Sequence, residues 1–105
     1  MNEELILGTE CKVKLTLPPI SGINPYGYDF DVELYVNPNK RCVVNKYSCF
    51  PIEGSEGEFV VPFDSAKVGV GEMNVELVAY VPDEFFEDKL RTERVRIESV
   101  ATIIP

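Results

Sequence analysis

Apolar and polar residues alternate one for one along most of this chain, and a period of two leaves few architectures open. In Cys11-Lys12-Val13-Lys14-Leu15-Thr16-Leu17 the odd positions are apolar and the even ones polar. An extended strand points successive side chains to opposite faces, so such a segment buries one face and wets the other. Asp29-Phe30-Asp31-Val32-Glu33-Leu34-Tyr35-Val36 alternates as cleanly, with Phe30, Val32, Leu34 and Val36 inward. Glu58 to Phe63 sets Phe59, Val61 and Phe63 on one face, and Glu72 to Val81 sets Met73, Val75, Leu77, Ala79 and Val81 on one face. Arg41 to Tyr47 reads as a strand of less regular pattern, and Thr92 to Ile97 turns Val95 and Ile97 inward. The apolar tail Val100-Ala101-Thr102-Ile103-Ile104 follows, and a slip of phase near Ser99 predicts a bulge or kink before it. Leu5-Ile6-Leu7 reads as a short edge strand or a lead-in.

Turn chemistry punctuates these runs. Pro18-Pro19 ends the first, because neither proline can donate to a ladder. Asn37-Pro38-Asn39-Lys40 predicts a tight hairpin, with proline presetting φ and asparagine tolerating the next position. Asp64 to Gly71 predicts a single helical turn, capped by Asp64 and closed by Gly69 in a left-handed conformation. About seven antiparallel strands at roughly ten-residue spacing predict an all-β, immunoglobulin-like sandwich filling residues 1–105 as one domain. The likeness is one of architecture only, since tryptophan is absent and no cysteine pair has the inter-sheet placement.

Composition narrows the function. The net charge of −8 disfavours nucleic acid and anionic membrane surfaces, both of which are met with lysine and arginine. Histidine is absent, which removes the commonest general base and metal ligand and every triad that needs one. A hydrolase built on Asp29, Asp31 or the acids around Asp83 is disfavoured, because no nucleophile, base and oxyanion site converge. Asp29 and Asp31 sit about 7 Å apart on a wet strand face. No cofactor, metal or small-molecule ligand is expected. Cys11, Cys42 and Cys49 are an odd set, read as reduced thiols with at least one in the core, although a Cys42–Cys49 bridge stays open on sequence alone. The acidic start Met1-Asn2-Glu3-Glu4 lacks the basic flank of an export signal, so the expected location is the cytoplasm of the producing cell.

The segment Pro82 to Leu90 carries four carboxylates, Asp83, Glu84, Glu87 and Asp88, which read as solvated loop charge rather than a calcium loop. Gly69-Val70-Gly71 lacks the lysine of a phosphate loop. Phe85 and Phe86 are costly to leave in water; one is expected to plug the end of the sandwich and the other to anchor a partner. If each strand reverses direction, the loops Pro18–Tyr28, Cys49–Gly57 and Pro82–Leu90 share one end, with Tyr26, Tyr28, Phe50, Phe85 and Phe86 on them. Tyr26, Tyr28, Phe85 and Phe86 are thus the candidate partner-contact residues. The competing reading is that these rings cover the open end of a small core. An extra strand around Phe50–Ile52 would reverse the parity. The apolar run from Val95 to Ile104 offers a second surface, an edge that could add to a neighbour.

Leu17-Pro18-Pro19-Ile20, Asp29 to Val36, Val68-Gly69-Val70-Gly71, Ala79-Tyr80-Val81-Pro82-Asp83 and Arg91-Thr92-Glu93 together resemble a small immunoglobulin-like domain of phage and prophage structural proteins of gut bacteria. The resemblance spans nearly the whole chain on short motifs of turn glycines and strand alternation. It implies a virion- or tail-associated module without catalysis, with other structural proteins or its own copies as partners. The expected function is therefore non-catalytic assembly through a strand edge or the aromatic end. The alternative is a carbohydrate- or protein-binding accessory domain that stacks ligands on its loop aromatics.

Overall fold

The computed structural model describes residues 3–98 and 101–105. Its strands are β1 (Glu3–Ile6), β2 (Glu10–Thr16), β3 (Asp29–Tyr35), β4 (Cys42–Asn45), β5 (Phe50–Pro51), β6 (Glu58–Asp64), β7 (Gly71–Glu72), β8 (Asn74–Pro82), β9 (Leu90–Ile97) and β10 (Ala101–Ile104). One sheet has the order β2-β6-β5 and a second the order β4-β3-β8-β9, all antiparallel. The short set β1-β10-β7 completes the fold. This is the expected all-β sandwich, with the alternating residues in their expected places. Val13, Leu15, Phe59, Val61 and Phe63 from the first sheet meet Phe30, Val32, Leu34, Val75, Leu77 and Ala79 from the second in one buried core.

The tally of about seven antiparallel strands and one helical turn is refined in three ways. The final strand is broken: between β9 and β10 the chain advances five positions, from Ile97 to Thr102, while its partner retreats three, from Val75 to Glu72. The expected slip at Ser99 itself lies outside the described residues. Next, β1 runs parallel to β10, Glu3 beside Ala101 and Ile6 beside Ile104. The apolar tail is consequently sandwiched between β1 and β7, with Ala101 and Ile103 buried, and is no free edge as expected from sequence. Finally, there are two 3-10 turns, Ser65–Lys67 and Lys46–Ser48. The first is the expected one: Asp64 accepts from the amide of Ala66, and Gly69 takes φ +102°.

The extra strand also exists, as β5, yet the parity survives. β4 runs antiparallel to β3 and β5 antiparallel to β6, and both head toward the same end of the sandwich. They are one run that changes sheet through the turn at Lys46–Ser48. All three cysteines are free thiols. Cys42 begins β4 and Cys49 follows the turn after it, so about 10 Å of extended β4 separates them, beyond disulfide reach. Burial pushes the Cys49 thiol up to about 11 and raises that of Cys42, which leaves both protonated and inert at neutral pH.

Ser65 is the buried polar residue among those described, at 0 % exposure. Its hydroxyl donates to the Ile6 carbonyl at 2.8 Å and accepts from the Thr9 amide at 3.0 Å, while its own amide donates to the Thr9 carbonyl at 3.0 Å. The β1–β2 turn is thereby tied to the end of β6. Ser65→Ala removes the acceptor of the Thr9 amide and one of two donors to the Ile6 carbonyl, and is expected to cost about 0.5–1.5 kcal/mol. Urea unfolding of the two proteins checks this, and equal midpoints would show that the tie is dispensable.

Candidate functional site

The loops after β2, β5 and β8 do share one end of the sandwich, and backbone bonds set their shapes. Leu17 donates to the Gly57 carbonyl at 2.8 Å, joining the first loop to the second. The Tyr28 hydroxyl donates to the Pro18 carbonyl at 2.8 Å, and the Tyr26 hydroxyl to the Ser55 carbonyl at 2.6 Å. The Lys46 ammonium donates to the carbonyls of Tyr26 and Tyr28, at 3.1 and 2.8 Å, and so pins the crossing turn to the first loop. Beneath lies an aromatic floor. Phe30 meets Phe59 edge-on with centroids 5.4 Å apart, and Tyr28 meets Phe30 at 6.0 Å.

That floor corrects one candidate. Tyr28 is 2 % exposed and belongs to the core, with burial pushing its hydroxyl up to about 12. No partner can reach it. The expectation for Phe85 and Phe86 also fails in part, because neither plugs the end: Phe85 is 89 % exposed and Phe86 is exposed as well. Tyr28, Phe30 and Phe59 already close the core, so the two phenylalanines are surplus to it.

Asp83 organises the loop that carries them. Its carboxylate accepts from the Phe85 amide at 3.0 Å and from Arg91 at 2.9 Å, and Arg91 also donates to Ser21 Oγ at 2.8 Å. Lys89, at φ +63°, returns the chain into β9 and donates its amide to the Phe86 carbonyl. Asp88 accepts from the Leu90 amide. Two of the four loop carboxylates are therefore spent on local structure, and among the described residues no His, Cys, Asp and Glu cluster as metal ligands. Asp31, the other acid weighed for catalysis, accepts from the Tyr80 hydroxyl at 2.9 Å, while Asp29 is exposed beside it.

Tyr47 was missed by sequence reasoning, which placed it inside a strand. The strand stops at Asn45, whose side chain accepts from the amides of Tyr47 and Ser48, and Tyr47 stands 83 % exposed on the resulting turn. The signal was present: an asparagine two residues before a tyrosine in an irregular stretch is an Asx-turn cue. Phe50 follows on β5 at 63 % exposure. The exposed rings fall into two groups, Tyr26, Tyr47 and Phe50 by the β4–β5 crossing and Phe85 and Phe86 by the β8–β9 loop. In the sheet order β4-β3-β8-β9 these lie two to three strand spacings apart, roughly 10–14 Å. They form two separate groups at one end, not one continuous platform.

The outer face of the four-stranded sheet is held by charge. Arg41 donates to Glu33 at 3.0 Å and Glu76 at 2.6 Å, and its guanidinium stacks 4.0 Å from the centre of the Tyr35 ring. Arg94 reaches the same two carboxylates at 3.4 and 3.3 Å. A groove of about 410 Å³ opens elsewhere, on the flank between β2 and β9, lined by Leu15, Pro18, Val95 and Ile97 with the charged residues Lys14, Arg96 and Glu98. β2 and β9 each hydrogen-bond one neighbouring strand, so this flank presents two strand edges.

No family model, curated protein or solved structure matches this chain. No helix among the described residues is long and apolar enough to cross a membrane.

The hydrogen bond from Arg41, with that from Arg94 adding to it, holds the Glu76 carboxyl below the usual carboxylate range despite partial burial. A depressed folded-state pKa contributes stability that is present above the unfolded value, about 4.3, and is lost as pH falls through the folded value. Glu76→Gln removes that dependence. Urea midpoints measured from neutral pH down through the carboxylate range should fall less steeply for the variant than for the parent; parallel curves would assign the acid sensitivity to other carboxyls.

Proposed function

We propose that this domain is a non-catalytic assembly module of a phage or prophage particle, of the tail- or baseplate-associated kind, that docks onto neighbouring structural proteins through the aromatic end of its sandwich. One observation carries the reading. Every exposed aromatic side chain among the described residues, Tyr26, Tyr47, Phe50, Phe85 and Phe86, stands at that end. Each such ring gains about 1.5–3 kcal/mol on full burial, and aromatic anchors of this kind dominate interface energetics. Their separation into two groups suits a protein surface broad enough to meet both. The resemblance to particle proteins along nearly the whole chain, the acidic surface and the lack of histidine support the same reading.

Mass spectrometry of purified particles from an induced culture of the source organism tests it. The chain is expected at stoichiometric level. Phe85→Ser combined with Tyr47→Ser should leave the fold intact and lower incorporation about tenfold or more. Absence from particles despite clear intracellular expression would end the reading.

The grouping of Tyr26, Tyr47 and Phe50 on one side favours a second reading, a carbohydrate-binding accessory domain that stacks sugar rings on these side chains. A glycan array decides it: a hit lost on Tyr47→Ala supports stacking, and a blank array removes it.

A further inference from the structure

The edge strands β2 and β9 are rich in cations for an acidic chain, with Glu98 the acid that lines the groove between them. β2 and β9 hold Lys12, Lys14, Arg91, Arg94 and Arg96 against only Glu10 and Glu93. Half of the ten cations in a chain of net charge −8 thus lie on two edge strands. Arg91 is committed to Asp83 and Glu93, and Arg94 to Glu33 and Glu76. Lys14 has one exposed partner, Glu58 at 3.2 Å. Lys12 and Arg96 have no acidic partner among the described residues, although Arg96 stands directly opposite Glu76 in the ladder, because Glu76 is already held by Arg41 and Arg94.

Apolar surface lies beside this charge. Val95 and Ile97 face inward on β9, only half-buried, and with Leu15 they floor the groove of about 410 Å³. A strand added to the β9 edge would send alternate side chains into that groove and the others out beside Arg94 and Arg96. The geometry fixes the occupant's pattern, with apolar and acidic residues alternating. It also argues against a second copy using its own β9. Two-fold antiparallel pairing centred on Arg94 sets Arg94 opposite Arg94, and pairing centred on Val95 sets Arg94 opposite Arg96; like charges directly opposite are destabilising.

We infer that the free edge of β9 is a strand-addition site for an extended acidic segment of a partner protein, with apolar residues in the β2–β9 groove and carboxylates against Arg96. The inference rests on the reading of the domain as an assembly module, and it assigns that module a second contact distinct from the aromatic end.

The test uses the full chain, isotopically labelled, and two end-capped peptides of the length of β9, one alternating Glu with Val and the other Lys with Val. At low salt the net charge of the chain favours the Lys/Val peptide, so a preference for Glu/Val runs against the overall field and reports the local edge. The Glu/Val peptide is expected to shift and protect the amides of Leu90–Ile97, and the Lys/Val peptide to leave them unchanged. Arg96→Glu, at an exposed position, should weaken Glu/Val binding about tenfold or more and confer binding of Lys/Val. Shifts confined to the aromatic end, no response on β9, or concentration-dependent β9 shifts without peptide would each overturn the inference, the last by giving the edge to a second copy. A chain that is absent from particles yet binds Glu/Val at β9 would overturn only the particle reading. A chain present in particles whose β9 ignores the peptide would overturn only this one.

Discussion

The contact on which the rest of the molecule depends is the edge-on meeting of Phe30 and Phe59. Phe30 faces inward from β3 and Phe59 from β6, so their rings join the two sheets at one end, with centroids 5.4 Å apart. Such a pair contributes about 0.5–1.5 kcal/mol beyond the area it buries. Its greater consequence is positional. Tyr28 leans on Phe30, Tyr26 on Phe59, and Lys46 reaches over Phe30 to hold the carbonyls of both tyrosines. The segment that displays Tyr47 and Phe50 is thus anchored to a closed core.

Because that core is sealed from within, Tyr47, Phe50, Phe85 and Phe86 are not needed to close it. Phe85 rides on a loop whose backbone is organised by Asp83 and Arg91, and Tyr47 on a turn capped by Asn45. In both cases short polar side chains fix the backbone and leave the aromatic in water. Hydrophobic burial within the chain therefore does not explain where these rings point.

Charge divides the surface in a similar way. Arg41 and Arg94 share Glu33 and Glu76 on the outer sheet face, which saturates the acids there and leaves Arg96 at the edge without an acidic partner among the described residues. Edge strands need protection against indiscriminate pairing, and a row of arginines supplies it. On the inference drawn above, the same row makes the edge selective, since what repels a second β9 attracts a carboxylate-bearing strand.

Period-two alternation makes β2, β3, β6, β8 and β9 legible in the sequence, because a strand with one wet face cannot hide its pattern; the Asn37–Lys40 hairpin and the Asp64 cap are legible through turn chemistry. Three features are not. The parallel seating of β1 on β10 depends on which distant segment supplies the hydrogen bonds, and local sequence carries no record of that. Tyr28 and Phe85 look alike as loop aromatics, yet one is core and the other solvent-facing, since Tyr28 meets the Phe30 ring and the Pro18 carbonyl while Phe85 stays exposed. Tyr47 is hidden when the pattern is read through the asparagine that ends its strand. Strand pattern, turn residues and charge act locally, so an acidic, histidine-free β-sandwich with aromatic loops at one end is already written in the order of its residues. Which aromatics are free, which edge is open and how the arginines are shared out among the acids belong to the tertiary structure, because each is settled by a neighbour far away along the chain.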